Sequence, residues 1–291
     1  MDSFVPAARG DGCCMSDAND PRRAIARVPG WSGAEFAIEE QAGGLTNRTY
    51  RLRRGKASFI LRLDAVHDPD VGLDRDCELE VLERASAAGL APEIVFSDVE
   101  AGILVTRFVE GRPWSRRDLE DRRKLVLIAE LLQKVHSLPG SGRRYRADSI
   151  AAVYSSKLET IPELHAFGER CARIAADSAS AGEICCCHND LVAANIIGEE
   201  SPTLLDWEYA CDNDPLFDLA SLVGYHDLDQ RLADLLLNAY TGGAKPGHRE
   251  RLGALIRIYD ALHWLWLAVR QAARPDARQA RQLTELQRRI S

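Results

Sequence analysis

Several common devices for handling nucleotides, metals and membranes are missing from this 291-residue chain. There is no GxxxxGK[ST] phosphate loop and no GxGxxG after a strand, which excludes the P-loop and Rossmann ways of holding phosphates. No C-x-x-C pair occurs among the eight cysteines, so the usual zinc frameworks are excluded. No apolar run approaches the roughly 20 residues of a membrane helix. The richest, IRIYDALHWLWLAV, is interrupted by Arg257, Asp260 and His263 and reads as a buried helix. The basic start and apolar core of a secretory signal are absent. With 37 Lys and Arg against 44 Asp and Glu the net charge is −7, and no global basic field draws the chain onto nucleic acid. No internal repeat is visible.

What is present is the composition of an ordinary soluble globular protein, 46% hydrophobic and 28% charged. The length allows one large or two small domains. The cysteines cluster rather than space out as a disulfide framework, which fits thiols in a reducing cytoplasm. Residues 1–30 read as a loose polar tail in which Met15 is a second possible start.

After the tail the pattern is that of an α+β protein. EFAIEEQA, NRTYRLRR and ASFILRL predict three antiparallel strands; Phe59, Leu61 and Leu63 alternate with Ile60 and Arg62. A helix is expected from an N-cap at Asp74 to Gly89, followed by two strands, PEIVFSD and ILVTRFV. These make a small strand-rich part, residues 31–109. Residues 110–291 read as mostly helical. Ser115 with Asp118 predicts a capping box for a long helix in which Leu125, Ile128, Leu132 and Val135 form the buried face. ICCC, NIIG and TLLDW read as short strands, so HNDLVAAN is a loop between two of them. The chain beyond Pro215 is expected to be helical, ending in a charged, solvated helix that packs or meets a partner.

Polar groups bracketed by apolar runs need a reason. Phosphoryl transfer from ATP to a hydroxyl requires a base, oxygen ligands for magnesium, and donors around the triphosphate. Asp190 can be the base. Asn195 and Asp206, at neighbouring strand ends, can be hard-oxygen ligands for Mg2+. Gly43 and Gly44 can admit phosphates to backbone amides, with Thr46 or Asn47 as side-chain donors, although a Gly-Gly hairpin is also a plain turn. Arg62 can reach the phosphates if Glu78 holds it, and surface charge is the bland alternative for both.

H-x-D-x-x-x-x-N followed after one strand by D-W-E resembles the catalytic and metal-binding segments of the aminoglycoside phosphotransferase and choline kinase superfamily, relatives of protein kinases. LLDWEYACDNDPLFDLAS is similar to a segment of choline, ethanolamine and thiamine kinases, and GGLTNRTYRL with FILRL resembles the amino-terminal lobe of bacterial choline kinase-like proteins. The likeness runs from about residue 36 to 271. It implies a protein kinase-like two-lobed fold, with a small antiparallel-sheet lobe and a mostly helical one. It also implies Asp190 as the base, His188 as support of the loop, and Asn195 and Asp206 as magnesium ligands. Arg62 with Glu78 would replace the lysine pair of protein kinases, and Arg107, Phe108 and Val109 would form the adenine hinge. VAIK, DFG and APE are missing, so a protein kinase itself is excluded.

Choline or ethanolamine, a cationic alcohol, is the expected acceptor, since aromatic faces and a carboxylate hold quaternary ammonium groups. Tyr259, His263, Trp266 and Arg270 step by four, three and four along one helical stripe, while Trp264 faces away beside Asp260 and Leu267. Choline kinases usually carry two tryptophans three apart here, and His263 takes the first of those places. Glu208, Tyr209 and Tyr225 are further candidates for the cation. Core packing is the alternative for Tyr259 and Trp266. Thiamine, an aminoglycoside or another small alcohol stays open as acceptor, with Asp212, Asp214 and Asp218 as possible partners for several ammonium groups. A non-catalytic binding protein of the same shape is the rival of another class. Cys185, Cys186, Cys187 and His188 cannot all hold one metal, because consecutive strand residues point to opposite faces.

Overall fold

The computed structural model describes residues 20–41, 47–64, 72–177 and 182–291. Asp20 accepts from the Arg22 amide and starts α1 (Pro21–Arg27), whose Ala24 and Ile25 are buried. Part of the stretch expected as a loose tail is therefore a capped helix, and Asp-Pro at its start is the local signal.

Strands β1 (Ala37–Gln41), β2 (Asn47–Arg54), β3 (Ala57–Asp64), β4 (Ile94–Asp98) and β5 (Ile103–Arg107) form one sheet in the order β1-β2-β3-β5-β4. The first three are an antiparallel meander in which Leu52 faces Phe59 and Tyr50 faces Leu61. Alternation puts Phe59, Leu61 and Leu63 in the core and Arg62 on the other face, with its Nε 3.2 Å from Asp64 Oδ1.

The chain divides into two compact units, the described residues of 1–65 with Phe96–Thr106, and the described residues of 66–95 with those of 107–291. In the second, Asp74 accepts from the Cys77 amide at 3.0 Å and starts α2 (Arg75–Ala87), as expected. Gly111 marks a break: its φ is +136°, and a Cβ there would lie 2.8 Å from Ile197 Cγ2. The Ser115–Asp118 capping box starts only a short 3-10 turn, Arg116–Glu120; the long helix α3 (Arg122–His136) is capped by Asp121 instead. The reason is Asp118, which is buried and tied to Arg112, Lys124 and Ser115, so the chain must turn again before a helix can extend.

Leu125, Ile128, Leu132 and Val135 are fully buried on α3, as their spacing requires. Then come α4 (Ala147–Ser156), α5 (Pro162–Ala176), and four short strands, β6 (Cys185–Cys187), β7 (Ile196–Ile197), β8 (Thr203–Leu204) and β9 (Cys211–Asn213). β6 pairs with β9 and β7 with β8, both antiparallel. The final helices are α6 (Leu216–His226), α7 (Gln230–Thr241), α8 (Pro246–Ala273) and α9 (Ala277–Ile290). By length and composition α8 matches a membrane span, yet it is the core helix, packed by α4, α5, α6 and α9 around Trp264 and Leu265. α9 contributes Leu283, Leu286 and Ile290 to that core, and its Arg289 pairs with the buried Asp260.

Candidate active site

Residues 188–195 connect β6 to β7, and one buried carboxylate organises the start of this loop. Asp218, in the first turn of α6, accepts from the His188 amide at 2.9 Å, the Asn189 amide at 2.7 Å and His136 Nε2 at 3.0 Å. Burial acts to raise the Asp218 carboxyl, but the hydrogen bonds from His136 and from the His188 amide hold it below the usual carboxylate range.

His188 is fully buried against Trp207. Its Nδ1 receives the Asp190 amide at 3.3 Å and its Nε2 lies 2.8 Å from the Leu205 carbonyl, so the network assigns the neutral Nε2–H tautomer. The ring thus clamps the start of the loop to the strand end that carries Asp206. Asn189 has φ +65°, a conformation Asn tolerates, and donates to the carbonyls of Tyr209 and Cys211.

Three positions with reactive potential are stitched together by short bonds. Asn195 Nδ2 donates to the Asp190 carbonyl at 3.1 Å, and the Leu205 amide donates to the Asn195 carbonyl at 2.8 Å. Asp206 follows Leu205 at φ +62° and is exposed. With its nitrogen engaged, Asn195 offers its side-chain oxygen. An amide oxygen beside a carboxylate is a donor set that fits a hard cation such as magnesium. The loop's far end is fixed by His226 Nε2, which accepts from the Ala193 amide at 2.9 Å. Burial, then the Arg116 charge, pushes His226 down to about 4, which keeps the ring neutral and able to accept.

The expected aromatic stripe is real. His263 stacks on Tyr225 with centroids 5.4 Å apart, and lies 5.8 Å from Tyr259 and 6.2 Å from Trp266. Trp264 faces the opposite way, fully buried 4.7 Å from Phe167. The stripe stands near the loop: after burial, the Asp190 charge is the next influence raising the hydroxyls of Tyr225 and Tyr259, and it also acts on Tyr145. One face of Trp266 is already taken by the Arg270 guanidinium, 4.9 Å from the ring centroid. Burial, then Arg289, pushes His263 down to about 4, and its buried Nδ1 has no hydrogen-bond partner among the described residues.

Other expected residues have definite places. Glu208 is buried and 3.2 Å from Arg75 Nη1, which also binds Glu78 at 2.7 Å. The ion pair described for Glu78 is thus with Arg75, one helical turn earlier, and that described for Arg62 is with Asp64. Tyr209 is half-buried. Asn47 begins β2, opposite Asp64. Arg107 ends β5 with its amide on the Glu93 carbonyl at 2.8 Å, and Val109 follows two residues later. Gly44 and Thr46 lie outside the described residues. Asp212 accepts from the amides of Ser141 and Gly142, Asp214 pairs with Arg251, and Asp218 holds the loop. Sequence reasoning missed the roles of Asn189, Arg75, Tyr145, Asp218 and His226. An Asp in the first turn of an otherwise apolar helix, PLFDLAS, was the one available signal.

The chain matches the phosphotransferase enzyme family over residues 37–255. Protein LicA of Haemophilus influenzae is 26% identical over 245 residues, covering 79% of this chain and 72% of that one. The choline kinase LicA from Streptococcus pneumoniae superposes with a TM-score of 0.76 at 22% identity, covering 92% of this chain and 96% of that one. A choline/ethanolamine kinase family protein from Mesorhizobium loti does so with a TM-score of 0.74 at 24% identity over 92% of each chain. These two likenesses show the fold, a kinase fold. The match across three quarters of the sequence shows the lineage: the chain belongs to the phosphotransferase enzyme family.

Proposed function

We propose that the protein transfers the γ-phosphoryl group of ATP to the hydroxyl of choline or ethanolamine in the cytoplasm. The observation that carries this reading is the linkage of Asp190, Asn195 and the Leu205–Asp206 strand end by two hydrogen bonds, beside tyrosines that feel the Asp190 charge. The substrate hydroxyl oxygen attacks the γ-phosphorus, its proton passes to the Asp190 carboxylate, and the bond to the bridging oxygen of ADP breaks. Asn195 and Asp206 would hold magnesium, which would supply positive charge against the phosphates. We assign Gly44, Thr46, Asn47, Arg62, Glu78, Arg107 and Val109 to the nucleotide. Tyr225, Tyr259, His263 and Trp266, with Tyr209, are assigned to the ammonium end of the acceptor, whereas Glu208 is already paired with Arg75.

A polycationic aminoglycoside fits less well. The three extra carboxylates that would serve it are each already engaged, by backbone amides, by Arg251 or by the catalytic loop.

The test is magnesium-dependent ATP turnover with choline, ethanolamine, thiamine and an aminoglycoside offered in parallel. Turnover with the first two is expected to exceed the others. Asp190→Ala is expected to abolish transfer while nucleotide binding persists. Wild-type turnover in that variant sinks the mechanism, and turnover with none of the four favours a non-catalytic binding protein.

A further inference from the structure

Behind the catalytic loop, on the far side of Asp218, lies a second cluster that the proposed reaction does not use. β6 alternates, so Cys185 and Cys187 share one face and Cys186 takes the other. The two sulfurs come within 3.9 Å. His136, the last residue of α3, faces them, and its ligand nitrogen and both sulfurs lie within 4.8 Å of one another.

The imidazole is oriented as a metal ligand would be. Its Nε2 is 3.0 Å from Asp218 Oδ2 and its Nδ1 is 2.7 Å from the Tyr240 hydroxyl. With Nε2–H given to the carboxylate, Nδ1 carries the lone pair. Carboxylate–imidazole–metal chains of this kind fix the tautomer of metal-bound histidines and raise their basicity. In a zinc tetrahedron with Zn–S near 2.3 Å, two thiolates stand about 3.8 Å apart, close to the separation found here. The sequence argument against four contiguous ligands holds for Cys186 and His188. The missing nitrogen instead comes from a residue about fifty positions earlier in the chain.

We propose that His136 Nδ1, Cys185 Sγ and Cys187 Sγ form a site for a thiophilic divalent metal of the zinc class, with the Tyr240 hydroxyl or a water as fourth ligand. Magnesium is excluded from it by ligand softness. Cys185 is partly exposed and gives the ion its way in, while the His136 side chain and Cys187 are buried. Burial pushes the Cys187 thiol well up, so Cys187 is inert as a nucleophile, and the ion must displace its proton. A bound ion is then one imidazole and one carboxylate away from the backbone of His188 and Asn189.

The probe is Co2+ added to full-length protein freed of metal by a chelator. A sulfur-to-cobalt charge-transfer band is expected to grow to one equivalent, to be bleached by Zn2+ and to be untouched by excess Mg2+. Cys185→Ser and Cys187→Ser are each expected to weaken cobalt binding at least tenfold, whereas Cys186→Ser retains it. Circular dichroism verifies folding, and the half-buried Cys185 keeps the comparison usable if the Cys187 variant does not fold. Absence of the band in the wild-type protein, or equal bands in wild type and folded Cys185→Ser, overturns the site.

Discussion

In the proposed reaction, acceptor choice turns on His263. Its ring is stacked on Tyr225, pushed down to about 4 by burial and therefore neutral at pH 7, with a buried Nδ1 that has no partner among the described residues. Ethanolammonium brings N–H donors to such a ring and cholinium brings none. A hydrogen bond to a charged group contributes about 1.5–3 kcal/mol. His263→Trp is therefore expected to lower kcat/KM for ethanolamine roughly tenfold or more while sparing or improving that for choline; equal losses for both acceptors would count against the assignment. Trp264 supplies the contrast, since it is fully buried against Phe167. Trp264→Ala is expected to lower stability by roughly 3–5 kcal/mol in denaturant titration, with its kinetic effect following from unfolding rather than from KM. The spacing of HWLW already separated these two tryptophans, because helical period alone decides which face a residue takes. It gave no hint that Arg270 covers Trp266, a property of rotamers rather than of spacing.

At the scale of elements, the loop is held by what packs behind it. Asp190, Asn195 and Asp206 were legible because polar groups between apolar runs stand out at short range. Asp218 and His226 were not, since their partners lie some thirty residues away and a lone polar residue on a helix looks like any surface position. The same limit explains the misplaced start of α3: a capping box is a local pattern, whereas the salt bridges that fix Asp118 depend on tertiary contacts with Arg112 and Lys124. β9 went unnoticed because Cys-Asp-Asn has little strand propensity and exists by pairing with β6. The prediction at this scale concerns Asp218→Asn. The amide keeps one acceptor oxygen and turns its NH2 toward donors that had a carboxylate, so at least one buried N–H loses its partner. A loss of about 1–3 kcal/mol follows, together with a fall in kcat, because the amides of His188 and Asn189 are among those donors. Asp190→Ala should show the opposite separation, with stability near wild type and no transfer. Denaturation and turnover measured on both variants distinguish a support of the loop from its reacting group.

For the whole molecule the consequence is a dependence of stability on pH with a defined window. His226 and His263 both have folded values near 4 because of burial, against about 6.5 in the unfolded chain. Between those limits the unfolded state holds more protons, so stability rises with pH across the window and is lost as pH falls from about 6.5 toward 4. Asp260 opposes this. Burial, working against the charge and hydrogen bonds of Arg289, raises it to about 6, so in the range from 6 down to the unfolded carboxylate value the folded state takes up the proton first and gains stability as pH falls. Arg-paired Asp148, lowered to about 2, acts only below about pH 4 and leaves the histidine window clear. Two histidines against one carboxyl leave a net fall in thermal midpoint between pH 6.5 and 4. His263→Phe is expected to flatten that fall by removing one of the two titrating rings. Asp260→Asn is expected to lower stability throughout, because Arg289 loses its buried charged partner and keeps only the exposed Asp227, and at the same time to steepen the fall, because the opposing contribution is gone. Thermal unfolding followed at half-unit steps of pH reads both slopes. Identical slopes in wild type and His263→Phe would mean that the imidazole beside Tyr225 is not held neutral by burial, and the acceptor preference argued from that neutrality would fall with it.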